Sequence, residues 1–257
     1  MSRLPREPNF WSEAMINPFS LVDKRAVITG AGKGIGRGIA TYLAMDGFEV
    51  AALARSKDLL EDVRESIESQ GGSCFACACN VADADETDYA IAAAAEAMGG
   101  VDALINNAGL VIRKPATELP LDEWRAMIDT NISGVFYATR AVLPRMMEQN
   151  SGHIINISSI SGRVPLPGGS AYAATKYAVT CFSQSLFQEV RDHGIKVTTI
   201  YPGSVDTKSH RHDAEAHHSW KVTPEEVGHA CASVLRTSPG TLISELEIRP
   251  QHRPPQK

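Results

Sequence analysis

A tyrosine and a lysine four residues apart, Tyr172 and Lys176, lie in the stretch "SAYAATKYAV". Residues i and i+4 share one face of a helix, so both side chains can act on the same ligand. An isolated tyrosine has a pKa of about 10 and is a poor acid or base at neutral pH. A neighbouring ammonium stabilises the phenolate and lowers that value, and its remaining protons can hold the ribose hydroxyls of a cofactor. The pair therefore predicts acid–base chemistry if other residues support it.

Polar residues near the ends of predicted strands are the expected partners of this pair. Ser159 closes the strand "HIINISS", and the segment "NNAG", 106–109, closes an earlier strand. In an open parallel sheet the carboxyl ends of the strands border the ligand crevice. Asn131, in "DTNISGVF", is a polar residue between apolar ones inside a long predicted helical region, Leu121 to Met147, which indicates a special role.

The stretch "ITGAGKGIGRG", 28–38, forms the first predicted strand-to-helix turn. Glycines there let backbone amides approach a pyrophosphate, and the start of the helix adds partial positive charge. The spacing of Gly30, Gly34 and Gly36 differs from the common G-x-G-x-x-G pattern, and the sequence lacks the G-x-x-x-x-G-K-[ST] order of a phosphate-loop NTPase. The turn predicts a nucleotide site, with a structural glycine-rich turn as the alternative.

The end of the second predicted strand, "AALARSKD", bears on which dinucleotide would bind. A carboxylate there would accept from the adenosine ribose hydroxyls and repel an added phosphate. Ala54 stands at that point, Arg55 follows, and Lys33 lies in the glycine turn that faces the same ribose. Two cations near a 2′-phosphate of about −1.5 to −2 charge favour NADP(H) over NAD. The alternative is that both are solvated surface cations.

Short apolar or β-branched runs alternate with helical patterns along the chain. This alternation favours a parallel sheet with helices on both faces. We therefore predict an α/β fold: one doubly wound, Rossmann-type domain with a seven-stranded parallel sheet over residues 21–250. Outside this domain we expect an N-terminal extension, 1–20, and a C-terminal tail, 251–257. Within the domain we expect a polar loop, 207–221. Thr223 and Glu226 predict a capping box at the start of a helix.

Composition excludes several classes of function. The 257 residues include 25 basic and 30 acidic side chains, a net charge of −5, so neither nucleic acid nor an anionic membrane is an expected partner. No apolar run is long enough for a signal or a membrane span, which predicts a cytoplasmic protein. Five cysteines, an odd number, make a disulfide framework improbable. The sequence does not predict a serine hydrolase, because it contains no G-x-S-x-G motif for the nucleophile.

One cluster of cysteines and one cluster of histidines could each suggest a metal site, but we favour neither. Cys74-x-x-Cys77-x-Cys79 has no second pair for zinc and fits a buried strand, where cysteine acts as a small hydrophobe. The histidines of 210–218 match no known metal-site spacing, and the neighbouring chemistry needs no metal. We therefore predict that the site uses no metal.

Taken in order, these motifs resemble those of the short-chain dehydrogenase/reductase family over about residues 20 to 250. The resemblance rests on six features: Thr29-Gly30-x-x-x-Gly34-Ile35-Gly36, Asn106-Asn107-Ala108-Gly109, Asn131, Ser159, Tyr172-x-x-x-Lys176 and Pro202-Gly203-x-Val205-x-Thr207. One position departs, since many members have Asp-Val where this chain has Asn80-Val81. Asparagine can still donate or accept a hydrogen bond near an adenine.

The resemblance implies roles for these residues. Tyr172 would be the general acid in ketone reduction, Ser159 would orient and polarise the carbonyl oxygen, and Lys176 would hold the nicotinamide ribose. Asn131 would position a water that links the lysine to solvent, and the 207–221 loop would be a lid over the substrate. The implied NADP(H)-binding residues are Gly30, Gly32, Lys33, Gly34, Ile35, Gly36, Arg55, Ser56, Asn80, Val81, Asn107, Ala108, Gly109, Tyr172, Lys176, Pro202, Gly203, Val205 and Thr207.

The resemblance also implies an activity and an assembly. We expect an NADP(H)-dependent oxidoreductase that interconverts a ketone or aldehyde and an alcohol, as a dimer or tetramer formed through two long helices, about Leu121 to Met147 and Tyr172 to Val190. The substrate stays open between 3-oxoacyl thioesters, small hydroxy acids, sugars, steroids and aromatic ketones. The alternative from another class is a dinucleotide-binding regulator or scaffold without catalysis.

Overall fold

Seven parallel strands form one sheet in the computed structural model, which describes residues 24–207 and 220–252. Their order across the sheet is β3-β2-β1-β4-β5-β6-β7. The strands are β1 (Arg25–Thr29), β2 (Glu49–Ala54), β3 (Ser73–Ala78), β4 (Ala103–Asn106), β5 (Gly152–Ile157), β6 (Ile195–Pro202) and β7 (Glu245–Ile248). The predicted fold class and the seven predicted strands are confirmed.

The chain enters the sheet in its interior, where β1 pairs with β2 on one side and with β4 on the other. It winds outward to β3, crosses back to β4 and continues to β7. The strand order therefore reverses between β1 and β4. In doubly wound sheets the ligand crevice lies outside the carboxyl ends of the strands at this reversal. Thr29 and Asn106 are the last residues of the two strands concerned.

Helices cover both faces of the sheet. They are α1 (Gly34–Met45), α2 (Lys57–Glu68), α3 (Ala84–Ala97), α4 (Leu121–Ile128), α5 (Gly134–Glu148), α6 (Ser170–Val190) and α7 (Pro224–Leu235). One buried cluster joins α1, α2 and α7 to the sheet, and another joins α3, α5 and α6 to its opposite face. Successive strand residues point to opposite faces, so Ile28 belongs to the first cluster and Val27 to the second.

Side-chain caps fix the starts of three helices. Ser56, Asp83 and Thr223 each accept from the backbone amide three residues further on, at the starts of α2, α3 and α7. The predicted capping box of Thr223 and Glu226 is present, with Pro224 as the first helical residue. By contrast, α1 begins after Lys33 with no side-chain cap. The first amides of α1 are therefore left to another acceptor, and they adjoin the glycine turn.

The cysteines in β3 and directly after it behave largely as the sequence predicts. Cys74 and Cys79 are buried, and Cys77 is half-buried. Burial raises the pKa of the Cys74 and Cys79 thiols to about 11, so both stay protonated at neutral pH. In the part of the chain that the structure describes, no group of three or more histidine, cysteine or acidic side chains is placed to hold a metal.

Some predicted segments lie outside the described residues. They are the extension 1–20, the histidines of 210–218, most of the 207–221 loop and the end of the 251–257 tail. The predicted domain boundaries therefore stay predictions. Among the helices of the described ranges, none is long and apolar enough to cross a membrane.

Candidate active site

Tyr172 and Lys176 lie one turn apart near the start of α6. Both are buried, with only 7% of Tyr172 and 5% of Lys176 exposed. The Lys176 Nζ lies 5.9 Å from the centroid of the Tyr172 ring. Burial lowers the pKa of Lys176 to about 8, so the ammonium is the major form at neutral pH. The predicted pair is thus assembled on one helix face with a charged lysine beside the phenol.

The tip of Lys176 is anchored at the carboxyl edge of the sheet. Its Nζ donates a 2.8 Å hydrogen bond to the carbonyl oxygen of Ile157, the last residue of β5. Next along the chain, Ser158 Oγ donates at 3.1 Å to the Lys176 backbone carbonyl. Gly162 lets the chain pass close by, since a Cβ there would lie 2.9 Å from that same oxygen. Lysine head and helix backbone are therefore both tied to the end of β5.

Ser159 follows directly and is half-buried in extended backbone conformation. Its Oγ accepts from the Ser161 amide at 3.1 Å and caps a single 3₁₀ turn, Ile160–Gly162. This bond uses a lone pair of the hydroxyl and leaves its proton uncommitted to that contact. The serine is therefore oriented by its own loop in a way that lets the hydroxyl donate to a carbonyl oxygen.

Asn131 is fully buried, but not in a continuous α-helix as the sequence suggested. The helical region from Leu121 is interrupted by a π-helical turn, Asp129–Ser133, between α4 and α5. Such turns occur often at functional sites. Asn131 Oδ1 accepts from the Leu110 amide at 2.7 Å, and Nδ2 donates to the Leu110 carbonyl at 2.9 Å. Asn131 therefore holds the loop after β4, beside the Tyr172 helix.

The glycine turn after β1 is shaped by close backbone approach. Gly30 has φ +67°, and a Cβ there would lie 2.8 Å from Ala108 Cα. A Cβ on Gly36 would lie 2.2 Å from the Gly30 carbonyl oxygen and 2.4 Å from Asn107 Nδ2. Asn107 Nδ2 in turn donates to the Thr29 carbonyl at 3.0 Å. These contacts leave no room for side chains, so the turn presents bare backbone at the start of α1.

Thr29 is part of the glycine motif, but the sequence alone predicts no separate role for it. Its Oγ1 accepts from the amides of Asn107 and Ala108, at 3.0 and 3.1 Å. The threonine thus joins the end of β1 to the segment after β4, on either side of the strand-order reversal. The signal that could have found it is a hydroxyl residue in the last position of the first strand.

The predicted adenosine side lies next to the glycine turn. The Ala31 amide donates to the Leu53 carbonyl at 3.0 Å, and a Cβ on Gly32 would lie 3.3 Å from Ala54 Cβ. Lys33 follows Gly32, Arg55 follows Ala54, and both side chains are exposed. The two predicted cations therefore extend from backbone positions that lie next to each other.

The other predicted adenosine residues lie in turns. Ser56 caps α2, and Asn80 Oδ1 accepts from the Ala82 amide at 3.3 Å in the turn after β3. Val81 is buried against Gly134, where a Cβ would lie 2.8 Å from Val81 Cγ2. Ile35 packs against the apolar cluster of α1. The side chains of Val81 and Ile35 pack against apolar neighbours, whereas Ser56 and Asn80 carry polar side chains in turns.

The loop after β6 reaches back to the glycine turn. Pro202 ends β6, and the Gly203 amide donates to the Ile248 carbonyl at 2.8 Å. Val205 is buried and bridges to Val222. Thr207 lies against Gly34, where a Cβ would be 3.3 Å from the threonine Cβ. The loop therefore lies against the glycine turn, at the carboxyl edge of the sheet where a ligand crevice is expected.

A parallel doubly wound sheet with a glycine turn and a buried Tyr-x-x-x-Lys pair defines a class of nucleotide-dependent oxidoreductases. A family model described as short chain dehydrogenase matches residues 24–218. An uncharacterised oxidoreductase of Staphylococcus aureus (strain MRSA252) is 39% identical over 230 residues, which are 90% of this chain and 98% of the relative. The chain belongs to the short-chain dehydrogenase/reductase family.

Solved structures agree with this assignment. An alcohol dehydrogenase from the archaeon Thermococcus sibiricus, complexed with 5-hydroxy-NADP, is 30% identical with a TM-score of 0.83, covering 91% of this chain and 99% of that one. A metagenomic short-chain oxidoreductase in complex with NADP is 31% identical with a TM-score of 0.80, covering 91% and 100%. Serine dehydrogenase from Escherichia coli is 33% identical with a TM-score of 0.78, covering 88% and 97%.

Proposed function

We propose that this protein is an NADP(H)-dependent oxidoreductase that interconverts a ketone or aldehyde and an alcohol. The observation that carries the proposal is the buried Tyr172 and Lys176 pair, with Nζ 5.9 Å from the ring centroid, at the same sheet edge as the bare glycine turn. A purely structural tyrosine and lysine would not need a bare backbone turn at the same sheet edge. An acid–base pair that works on a bound dinucleotide needs such a turn to hold the pyrophosphate.

The glycine turn fits a pyrophosphate. Bare backbone at Gly30, Gly34 and Gly36, together with the uncapped start of α1, offers amide donors and partial positive charge to an anion. Asn107, Ala108 and Gly109 would line the nicotinamide half with Thr207 and the backbone of Val205. When bound there, NADPH supplies a hydride to the substrate carbon.

A 2′-phosphate is the group that the exposed Lys33 and Arg55 would recognise. They follow two residues, Gly32 and Ala54, whose backbones lie side by side, so both cations can reach one phosphate. No carboxylate occupies either position. Two of the similar solved structures hold NADP or a derivative of it, which supports the same preference.

The chemistry of reduction follows from the residues around the phenol. Tyr172 gives its proton to the carbonyl oxygen as hydride reaches the carbon, so a ketone gains one hydride and one proton and becomes an alcohol. The Ser159 hydroxyl donates to the same oxygen and polarises it. Lys176 stabilises the phenolate that Tyr172 becomes after it gives up its proton. Asn131 positions a water that links Lys176 to solvent, so that a proton can return to the site. In oxidation Tyr172 takes the proton from the alcohol.

Apolar side chains beside the phenol favour an uncharged substrate with an apolar substituent. Tyr172 forms a small cluster with Ala171 and Met127, against which four partly buried side chains pack: Leu110, Val111, Ile112 and Leu119. A small hydroxy acid is the second candidate, because the likeness to a serine dehydrogenase favours it. A panel of test substrates should therefore contain both classes, apolar ketones and aldehydes as well as small hydroxy acids.

The decisive experiment follows NADPH oxidation with that panel, in the native protein and in Tyr172→Phe. The variant is expected to lose roughly 10²- to 10⁴-fold in kcat, since it keeps the ring and loses the proton. Fluorescence titration with NADPH is the control, and its Kd should change little. Equal rates would remove the catalytic role of Tyr172. NADPH binding without turnover of any substrate would instead favour the regulator or scaffold.

We further propose a homo-oligomer, a dimer or tetramer, formed through α5 and α6. Both helices expose large apolar side chains, with Phe136 46%, Tyr177 43% and Met147 36% exposed. Light scattering coupled to size-exclusion chromatography would show a mass of at least twice the 27.7 kDa chain. A Phe136→Glu and Tyr177→Glu double variant should be monomeric. A cytoplasmic location stays a prediction.

A further inference from the structure

Thr175, between Tyr172 and Lys176 on α6, takes part in a directed chain of hydrogen bonds. The residue is fully buried. Its Oγ1 donates to the Tyr172 carbonyl oxygen at 2.8 Å and accepts from Asn131 Nδ2 at 3.0 Å. A threonine hydroxyl has one proton, so the order is fixed: the asparagine donates to the threonine, and the threonine donates to the tyrosine backbone.

The far end of this chain holds the loop after β4. Asn131 binds both the amide and the carbonyl of Leu110, at 2.7 and 2.9 Å. Gly109, just before, lies between the two polar groups: a Cβ there would be 3.6 Å from Asn131 Oδ1 and 3.7 Å from Lys176 Nζ. One network therefore connects this loop, the π-helical turn and the first turn of α6.

We propose that Thr175 is a positioning residue for the reaction assigned to Tyr172 and Lys176. It sets the place of the first turn of α6 relative to Asn131, and so the direction in which the phenol meets a substrate oxygen. The proposal rests on the proposed function, because it concerns the placing of the same acid. Small misplacements in an active site are costly: about 1 Å can reduce the rate on the order of a hundredfold.

The same helix supplies a matched control two turns away. Ser183 is also buried, accepts from Asn156 Nδ2 at 2.8 Å and donates to the Val179 carbonyl at 2.7 Å. Its bonding pattern repeats that of Thr175, but its carbonyl partner is not the tyrosine. Ser183→Ala therefore removes the same kind of bond without touching the turn that carries Tyr172 and Lys176.

The experiment compares Thr175→Val, Thr175→Ser and Ser183→Ala by kcat, by thermal unfolding and by the titration of Tyr172. That titration is followed by NMR of protein labelled at tyrosine Cζ, with the signal assigned from Tyr172→Phe. Thr175→Val is expected to lower kcat about tenfold or more and to shift the titration of Tyr172 by about half a pH unit or more. Thr175→Ser should restore both, and Ser183→Ala should lower only the unfolding temperature.

A Thr175→Val protein that matches Ser183→Ala in kcat and in the titration of Tyr172 would overturn the proposal. If valine prevents folding, Thr175→Ala, which also lacks the hydroxyl but is smaller, is judged by the same two readouts. Failure of the proposed function is a separate result: Tyr172→Phe would then keep its rate, whereas the titration of Tyr172 would still show whether Thr175 positions the phenol.

Discussion

The Lys176 Nζ donates a 2.8 Å hydrogen bond to the Ile157 carbonyl oxygen, which joins the second turn of α6 to the last residue of β5. This contact places an ammonium at the carboxyl edge of the sheet although the side chain is buried. Burial disfavours the charged form and lowers the pKa of Lys176 to about 8. The ammonium is therefore present below about pH 8 and is lost as the pH rises through that value.

The rate should follow this loss. We expect kcat/KM for NADPH, which reports groups of the free enzyme, to fall as the pH rises through about 8, because neutral Lys176 no longer stabilises the phenolate of Tyr172. Steady-state rates between about pH 6.5 and about pH 10 would show the inflexion. Lys176→Arg, slower but charged throughout, is the control and should lack it. An inflexion near pH 8 that persists in the arginine variant would contradict this assignment.

Cofactor preference should depend on Arg55. Arg55→Asp replaces a cation that faces the proposed 2′-phosphate by a carboxylate, so Kd for NADPH should rise on the order of ten- to a hundredfold more than Kd for NADH. Fluorescence titration with both cofactors measures the ratio. Arg145→Asp makes the same change of charge in the last turn of α5, which lies at the opposite edge of the sheet. An unchanged ratio in Arg55→Asp would refute the phosphate site.

Gly36 should tolerate no side chain. A Cβ there would lie 2.2 Å from the Gly30 carbonyl oxygen, so Gly36→Ala must push the glycine turn away from α1. We expect the free energy of unfolding to fall by about 1 to 3 kcal/mol, and NADPH binding to weaken as well. Gly240→Ala is the control, because a Cβ there meets no atom within 4 Å. Urea unfolding would show the difference; equal stability of the two variants would be the contrary result.

Local patterns made most of the fold predictable. Alternating strand and helix signals give the seven strands, and the capping box at Thr223 is read from residues three apart. The glycine turn was predicted for the same reason, since the residues that form it are neighbours in the chain. The parallel topology then brings Ser159 and Tyr172 to one edge without further information.

The remaining features depend on contacts between residues that are far apart in the chain. The π-helical turn at Asn131 has the apolar pattern of an ordinary helix, and its asparagine is bonded to Leu110, 21 positions away. Thr29 is bonded to Asn107, 78 positions away, and Thr175 to Asn131, 44 positions away. A hydrogen bond of this kind leaves no periodic trace in the sequence, so only the folded chain reveals it.

His153, unassigned by the sequence, should make the fold sensitive to acid. It is buried in β5, with Nε2 2.8 Å from Thr198 Oγ1. The Thr198 hydroxyl donates to the Ile243 carbonyl oxygen at 2.6 Å and so accepts from the histidine. The Nε2 of the histidine therefore donates to Thr198. Burial, aided by the charge of Lys196, lowers its pKa to about 3.

In the unfolded chain His153 has a pKa of about 6.5 and is protonated below that pH. In the folded chain the same imidazole is protonated only near pH 3. This contribution to stability is therefore full above about pH 6.5 and is lost as the pH falls towards 3, with a slope of about 1.4 kcal/mol per pH unit. His153→Gln keeps a donor and does not titrate, so its urea-unfolding free energy should fall less steeply between about pH 6 and about pH 4. Equal slopes in the two proteins would mean that His153 is not the acid-sensitive group.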